Sequence, residues 1–299
     1  MLSPADEFPH EPPSPIPPGW QENWYLLGWD AERSAGFSLH LGRIPLEERL
    51  TAKACVLVGD AGAEGEVAVA VAAIDAPLGA ELKAPGLEID IDPFRSWRVS
   101  LDTVDRGGRP LGFDVAVESL LPPVDWREAL TSLMASGTER DHYEVGARFS
   151  GRLTFGATAV DAAGLLVRDH TWGVRGYGAL DEAWWTPMVF ADPDPAYFTG
   201  VSVRYGERWI GTGIAVDSSG RQVIPDHVVE VTGGEAGRRA YRSAVIRSGP
   251  AVVSATAAAH AHVPYPEWAE GFWLNDAFCS AEWNGRRGFG IVELNRIDR

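Results

Sequence analysis

The sequence is poor in cysteine and in long apolar runs. Only two cysteines, Cys55 and Cys279, occur among its 299 residues, which excludes a disulfide framework. No run approaches the ~20 apolar residues that a membrane helix needs, so we expect no membrane span. The first residues are acidic and rich in proline, unlike the basic and then apolar start of a secretory signal. We therefore predict a cytoplasmic protein without structural disulfides.

Basic residues are also few. Lysine and arginine total 26 against 42 aspartates and glutamates, which gives a formal net charge of -16. A surface of that charge repels phosphate backbones, and this argues against nucleic acid as a partner. Hydrophobic residues nevertheless make up 45% of the chain. This is enough for a packed core, and a disordered chain is excluded.

Aromatic residues and glycines, by contrast, are plentiful: the chain has 12 tryptophans and 33 glycines. Short apolar runs recur about every ten residues, separated by turn residues such as Asp105-Arg106-Gly107-Gly108. We predict single strands over residues 152–159 and 184–190, among others. The alanine-rich stretch 251–262 contains valines and a threonine, which favours a strand there too. This rhythm is typical of an all-β antiparallel sandwich or barrel.

The domain organisation is predicted from the same patterns. Residues 1–19 are rich in proline and predict an extended arm on the surface. Residues 20–140 and 141–299 show the same strand rhythm, so we predict two consecutive β domains. Asp125 can cap a helix that ends at Gly137, and this one short helix would separate the two halves.

The densest cluster of reactive side chains is the segment Arg168-Asp169-His170-Thr171-Trp172-Gly173-Val174-Arg175. Successive side chains of a strand alternate between faces, so Asp169 shares a face with Leu165 and Val167. If that face is the barrel interior, burial raises the pKa of the Asp169 carboxyl and makes it a proton donor near neutral pH. The alternative is an ion pair of Asp169 with Arg168 or Arg175 that locks a sheet corner.

Histidines at alternate positions offer further candidate sites. His142 and Glu144 share a face of one predicted strand, where they could relay protons at a cavity mouth or be a solvent-facing polar pair. His260 and His262 share a face of another strand, but the sequence offers no third ligand at a metal-binding spacing. We expect no metal and no cofactor.

The segment Asp169-His170-Thr171-Trp172-Gly173 resembles the Asp-His-x-Trp-Gly signature of the lipocalin-like superfamily of AttH and carotenoid 1,2-hydratase (hydroxyneurosporene synthase). The resemblance covers mainly residues 140–215. Segments that look like the same group are Ser150-Gly151, Trp184-Trp185, residues 142–146 and residues 288–293. The resemblance implies two consecutive lipocalin-like β-barrel or sandwich domains, with a ligand cavity in or between them.

The resemblance also implies an activity. Characterised members of this superfamily act on hydrophobic small molecules, adding water to a double bond or guiding a cyclisation by acid catalysis. It therefore implies a lyase or isomerase for a terpenoid or steroid-like compound, with Asp169 as the acid and His170 and Arg175 setting its protonation and orientation. Aromatic faces stabilise carbocations, so the predicted substrate-binding residues are Trp24, Trp172, Trp184 and Trp185, with His142 and Glu144.

A carrier that binds a hydrophobic ligand without reacting is the alternative, since lipocalin-like barrels often bind ligands in this way. The signature would then be a structural corner of the sheet. In either case the expected partner is a hydrophobic small molecule. Edge strands also offer a surface for a homodimer.

Overall fold

A computed structural model describes residues 2–59, 67–130, 140–175, 181–233, 241–265 and 270–297. The described residues form two compact units: unit 1 holds residues 2–127 and 140–175, and unit 2 holds residues 128–130 and 181–297. Each unit contains one antiparallel sheet. The prediction of an all-β fold with lipocalin-like domains is confirmed. None of the described helices is long and apolar enough to cross a membrane.

Unit 1 contains the first sheet. Its strands are β1 (Trp20–Asp30), β2 (Ala35–Ile44), β3 (Arg49–Gly59), β4 (Val67–Pro77), β5 (Leu87–Asp92), β6 (Ser96–Val104), β7 (Pro110–Ser119), β8 (Val124–Asp125), β9 (Arg140–Phe155) and β10 (Thr158–Val174). Their order is β4-β3-β2-β1-β10-β9-β7-β6-β5, and β8 pairs with β9. Short 3-10 helices span Pro4–Glu7 and Pro45–Glu47. The strand that carries the signature, β10, therefore lies in the middle of this sheet.

Unit 2 contains the second sheet. Its strands are β11 (Glu182–Trp185), β12 (Met188–Phe190), β13 (Ala196–Tyr205), β14 (Arg208–Asp217), β15 (Gly220–Pro225), β16 (His227–Thr232), β17 (Ser243–Ser248), β18 (Ala251–Pro264), β19 (Phe272–Trp283) and β20 (Arg286–Ile297). Their order is β15-β14-β13-β11-β20-β19-β18-β17-β16, and β12 pairs with β13 and β20. The strand predicted over the alanine-rich stretch 251–262 is confirmed as β18.

The core of unit 1 follows from the alternation of side chains along its strands. In β6, Trp97 and Val99 are buried whereas Arg98 between them is exposed. The buried apolar side chains of alternate positions form one continuous core, to which Leu166 of β10 belongs. Because His170 lies four residues after Leu166 in the same strand, it points to the core side of the sheet.

The predicted domain boundary at residue 140 differs from the division into units. Both β9 and β10 belong to the first sheet, since β10 pairs with β1 and Val174 lies opposite Trp20. The signature therefore lies in unit 1 rather than in the second domain. Strand rhythm is the same on both sides of residue 140, so it carries no information about which distant strands pair.

Three local predictions are refined by the structure. The strand predicted over 152–159 is instead a hairpin, because Gly156 turns the chain between β9 and β10 with a φ of 60°, which glycine adopts readily. The run 184–190 is divided between β11 and β12. Asp125 does cap the helix α1 (Arg127–Leu130), with its Oδ1 3.0 Å from the Arg127 N. The predicted continuation over 131–137 lies outside the described residues.

The N-terminal arm was predicted to lie extended on the surface, but its residue Glu7 is fully buried. The Glu7 carboxylate accepts hydrogen bonds from Arg168 Nη2 at 2.8 Å, Arg168 Nη1 at 3.1 Å and Trp97 Nε1 at 2.6 Å. The guanidinium of Arg168 also lies 4.9 Å from the Trp97 ring centroid. Glutamate is rarely buried unless it is paired. Arg168, the partner of Glu7, is 161 residues away in the chain. The local sequence pattern therefore did not predict this contact.

We expect Glu7→Gln to destabilise the protein by about 3–5 kcal/mol, because the change leaves the buried guanidinium of Arg168 without its counter-charge. The matched control is Glu11→Gln in the same arm, where the side chain is exposed. Urea unfolding followed by tryptophan fluorescence measures both variants. Equal unfolding midpoints for the two variants would contradict the buried pair.

Candidate functional site

The central strand β10 carries buried polar side chains on both of its faces. On the face away from the core of unit 1, Asp169 lies opposite Tyr25 of β1 and Glu144 of β9. Thr171 lies opposite His142 of β9. Residues directly opposite in paired strands have side chains on the same face, so the sheet register alone brings these groups together.

Asp169, His142, Glu144 and Thr171 form what we call the Asp169 cluster. Oδ2 of Asp169 lies 3.6 Å from Nδ1 of His142. The same Nδ1 lies 2.5 Å from the Thr171 hydroxyl, and Nε2 of His142 lies 2.9 Å from Oε1 of Glu144. An ionised carboxylate only accepts hydrogen bonds, so these partners assign the proton to Nε2 and the lone pair to Nδ1.

The pKa of Asp169 is raised to about 6, and burial is the main cause. Its side chain is 14% exposed, so ionisation takes place with little hydration. The electrostatic interaction with His142 lowers this pKa, the carboxylate of Glu144 raises it, and Arg175 and a hydrogen bond from the Tyr25 backbone lower it. The net result keeps a proton-donating form of Asp169 populated near neutral pH.

The opposite face of β10 presents a second polar group, which we call the arm network: Asp6, His10, Glu22, Arg43 and His170. Nδ1 of His170 lies 2.7 Å from the Asp6 carbonyl oxygen, and its Nε2 lies 3.0 Å from Oε1 of Glu22. Nδ1 of His10 approaches the same Oε1 at 2.7 Å. Arg43 donates to the other oxygen of Glu22, Oε2. The network thus joins the arm to β1, β2 and β10.

Burial and hydrogen bonds act against each other within the arm network. Burial lowers the pKa of His170, and the Glu22 carboxylate opposes this effect only in part. Burial alone would raise the pKa of Glu22, but its hydrogen bonds with His10 and His170 bring that pKa down to about 2. The Glu22 carboxylate is therefore ionised at neutral pH.

The predicted catalytic residues are only partly brought together. Asp169 lies with His142 and Glu144 in one cluster, and Arg175 acts on Asp169 through its charge. His170, the sequence neighbour of Asp169, points to the opposite face and bonds Glu22 and Asp6. The prediction that His170 orients Asp169 is corrected, because consecutive residues of a regular strand cannot share a face.

The sequence left open an ion pair of Asp169 with Arg168. Arg168 instead bonds Glu7 on the core side, so it is not the counter-ion of Asp169. One interpretation of the sequence pattern placed Asp169 on the core face of the strand. The core of unit 1 instead contains Leu166, so Asp169 lies on the opposite face. Asp169 is desolvated all the same, and its pKa shift has the predicted direction.

The four predicted aromatic residues lie in two places. Trp24 stacks on His170 with 4.2 Å between ring centroids, and Trp172 stacks on His10 at 4.0 Å. Both therefore lie on the face opposite Asp169. Trp184 belongs to the core of unit 2, and Trp185 follows it in β11 with its side chain directed to the other face.

Sequence reasoning missed the acidic and basic residues of the arm network. Asp6, Glu7 and His10 stand in a proline-rich segment that reads as a solvated tail. Glu22 offered a detectable signal, because it alternates with Trp20 and Trp24 in β1, a strand that is buried along its whole length. A buried carboxylate in such a strand requires a cationic or hydrogen-bonding partner.

Comparisons with known proteins place the fold. The chain is similar in structure to a protein described as an AttH from Nitrosomonas europaea, at a TM-score of 0.73 and 14% identity, covering 98% of this chain and 96% of that one. Kievitone hydratase from Nectria haematococca gives a TM-score of 0.57 at 9% identity, covering 91% and 87%. CghA in complex with Sch210972 gives 0.50 at 13% identity, covering 95% and 90%.

These neighbours confirm the lipocalin-like β fold that the resemblance implies. No curated protein matches the chain significantly. One family profile, described as a domain of unknown function (DUF7064), matches residues 3–297. Since that match spans nearly the whole sequence, the chain belongs to the DUF7064 family and has the fold of the AttH-like proteins.

Proposed function

We propose that the protein is an acid-catalysed lyase or isomerase, hydratase- or cyclase-like, that acts on a hydrophobic small molecule such as a terpenoid or steroid-like compound. The observation that carries this proposal is the carboxyl group of Asp169, whose pKa is raised by burial to about 6. A general acid works best when its pKa lies near the working pH. A desolvated carboxyl group of this kind can protonate a weakly basic substrate such as an alkene.

The proposed reaction begins with transfer of the Asp169 proton to one carbon of a double bond, which leaves a carbocation at the other carbon. Water or an internal nucleophile then forms a bond to the cation, and the proton that it loses returns the site to its starting state. His142 is placed to take that proton on Nδ1 and to pass it on to the Asp169 carboxylate, whose Oδ2 lies 3.6 Å away, so that the acid is restored. Glu144 stabilises the imidazolium formed, through its hydrogen bond to Nε2.

The named neighbours support the reaction class but do not decide it. One of them is a hydratase by name, and CghA is recorded with a small molecule, Sch210972. At 9% and 13% identity, these neighbours share the fold of this chain, and the similarity carries no more than that. The assignment of chemistry to this chain therefore depends on the Asp169 cluster itself.

A non-catalytic carrier is the second candidate, and a cavity of 1330 Å³ in unit 1 favours it. Apolar side chains from β5 to β7 and the loop before them contribute much of its lining: Leu82, Leu87, Ile89, Ile91, Leu101 and Phe113. Asp169 is not among the lining residues. A hydrophobic ligand held in this cavity would not meet the proposed acid.

We expect Asp169→Asn to lower turnover by at least about 100-fold, because the amide cannot donate an acidic proton. A lipophilic extract of the host cells is incubated with each protein, and mass spectrometry follows compounds that gain one water or change retention at constant mass. Native mass spectrometry should show that the purified variant still binds the same lipophile as the wild-type protein.

The matched control is Asp161→Asn, at an exposed position of the same strand, which should leave turnover unchanged. Full activity of the Asp169→Asn variant would refute the assignment of the acid. A wild-type protein that binds a lipophile and converts none would favour the carrier.

The same carboxyl group should leave a signature in the pH dependence of stability. The folded-state pKa of about 6 exceeds the ordinary aspartate value of 3.8, so the folded state binds the proton more tightly than the unfolded state. Stability supplied by that proton is complete below about pH 4 and is lost as the pH rises through about 6. The loss amounts to about 3 kcal/mol at most.

Asp169→Asn should therefore gain stability relative to the wild type between about pH 4 and about pH 8. Urea unfolding of both proteins at about pH 4 and at about pH 8 measures this difference in the free energy of unfolding. The same pH dependence in variant and wild type would show that the carboxyl group is not desolvated.

A further inference from the structure

The arm network contains two imidazole rings whose inner nitrogens face one carboxylate oxygen, so a proton or a metal ion must lie between each of these nitrogens and that oxygen. Nδ1 of His170 faces the carbonyl oxygen of Asp6 at 2.7 Å, so this nitrogen carries its proton. Nε2 of the same ring then faces Oε1 of Glu22 at 3.0 Å. Two lone pairs repel at that distance unless a positive species lies between them.

His10 repeats the arrangement on the same oxygen. Its Nε2 lies 3.3 Å from Oδ1 of Asp6, and its Nδ1 lies 2.7 Å from Oε1 of Glu22. Both imidazoles therefore present one nitrogen to an outer acceptor and the other nitrogen to Oε1. In neutral rings with protonated outer nitrogens, two nitrogen lone pairs and one carboxylate oxygen converge on a common point.

We propose that His10, Glu22 and His170 bind a divalent transition metal ion of the zinc type, which ties the N-terminal arm to β1 and β10. Their ligand atoms lie within 4.8 Å of one another, and Nδ1 of His10 and Nε2 of His170 lie 2.7 and 3.0 Å from Oε1. Tetrahedral ligands at about 2.0–2.2 Å from one ion stand about 3.3–3.6 Å apart, so the two rings need to move outward by only about 0.5 Å to admit an ion. Two imidazoles and one carboxylate are a common ligand set for such ions.

The surroundings of these ligands match those of known metal sites. Metal-binding histidines usually donate their second ring N–H to a carbonyl or carboxylate oxygen, and Asp6 supplies one of each. Ring stacking fixes both planes, His170 on Trp24 at 4.2 Å and His10 on Trp172 at 4.0 Å between centroids. The ligand geometry is therefore set before an ion binds.

Charge and access also permit an ion. Arg43 bonds Oε2 of Glu22, whereas Oε1 faces the two rings and also accepts the His10 backbone N–H at 2.9 Å. A divalent ion that replaces two ring protons leaves the local charge unchanged. The His10 side chain is 23% exposed, so an ion can enter from solvent beside the arm. This site lies on the face of β10 opposite Asp169 and is independent of the proposed acid.

The test is a zinc titration of the full-length, chelator-treated protein in competition with a chromogenic chelator. We expect one Zn²⁺ per chain with micromolar or tighter affinity, and a rise of several degrees in Tm when Zn²⁺ is present. His10→Ala removes a ligand from the arm and changes no residue of the sheet itself, and it should weaken binding more than about 100-fold. His170→Gln should have the same effect on binding.

The matched control is His262→Ala, which removes an exposed histidine of unit 2 and should leave zinc binding unchanged. Zinc binding that survives in His10→Ala, or that is lost in His262→Ala, would overturn the proposal. Absence of stoichiometric binding by the wild type would overturn it as well, and the two histidines would then be held as imidazolium ions by Glu22 and Asp6.

Discussion

The alternation of side chains along β10 is the constraint on which the chemistry of this protein depends. Asp169 and His170 are neighbours in sequence, yet a regular strand directs them to opposite faces. Both faces are buried at this point of the sheet, so each side chain needs its own set of polar partners. The partners of Asp169 come from β9, whereas those of His170 come from the arm and β1. One strand thereby supports two separate buried polar groups.

The buried carboxyl groups on the two faces of β10 differ in how their desolvation is offset. On the core side, the buried acids Glu7 and Glu22 form ion pairs with Arg168 and Arg43, so each carboxylate has a cationic partner. On the other face, the attraction of His142 for Asp169 is opposed by the carboxylate of Glu144. Desolvation therefore dominates at Asp169 and raises its pKa. Glu7 and Glu22, whose desolvation is offset by arginine partners, stabilise the fold. Asp169, whose desolvation is not fully offset, can exchange a proton.

Local patterns in the sequence predicted the parts of this structure that depend on local physics. The strand rhythm predicted the all-β class, and the period of two predicted that Asp169 and His170 face apart. Pairing between distant strands was beyond such patterns, so the sequence placed the signature in the second half although β10 pairs with β1. The same limit hid the arm, because the partner of Glu7 is Arg168, far along the chain.

The direct test of the account is the titration of the Asp169 carboxyl group itself. Carbon-13 NMR of protein labelled at aspartate carboxyl carbons, with Asp169→Asn to assign the resonance, measures its pKa in the folded protein. The account predicts a midpoint near 6. A midpoint near the ordinary value of 3.8 would show that this carboxyl group is hydrated and ionised at neutral pH, and would contradict its role as a proton donor.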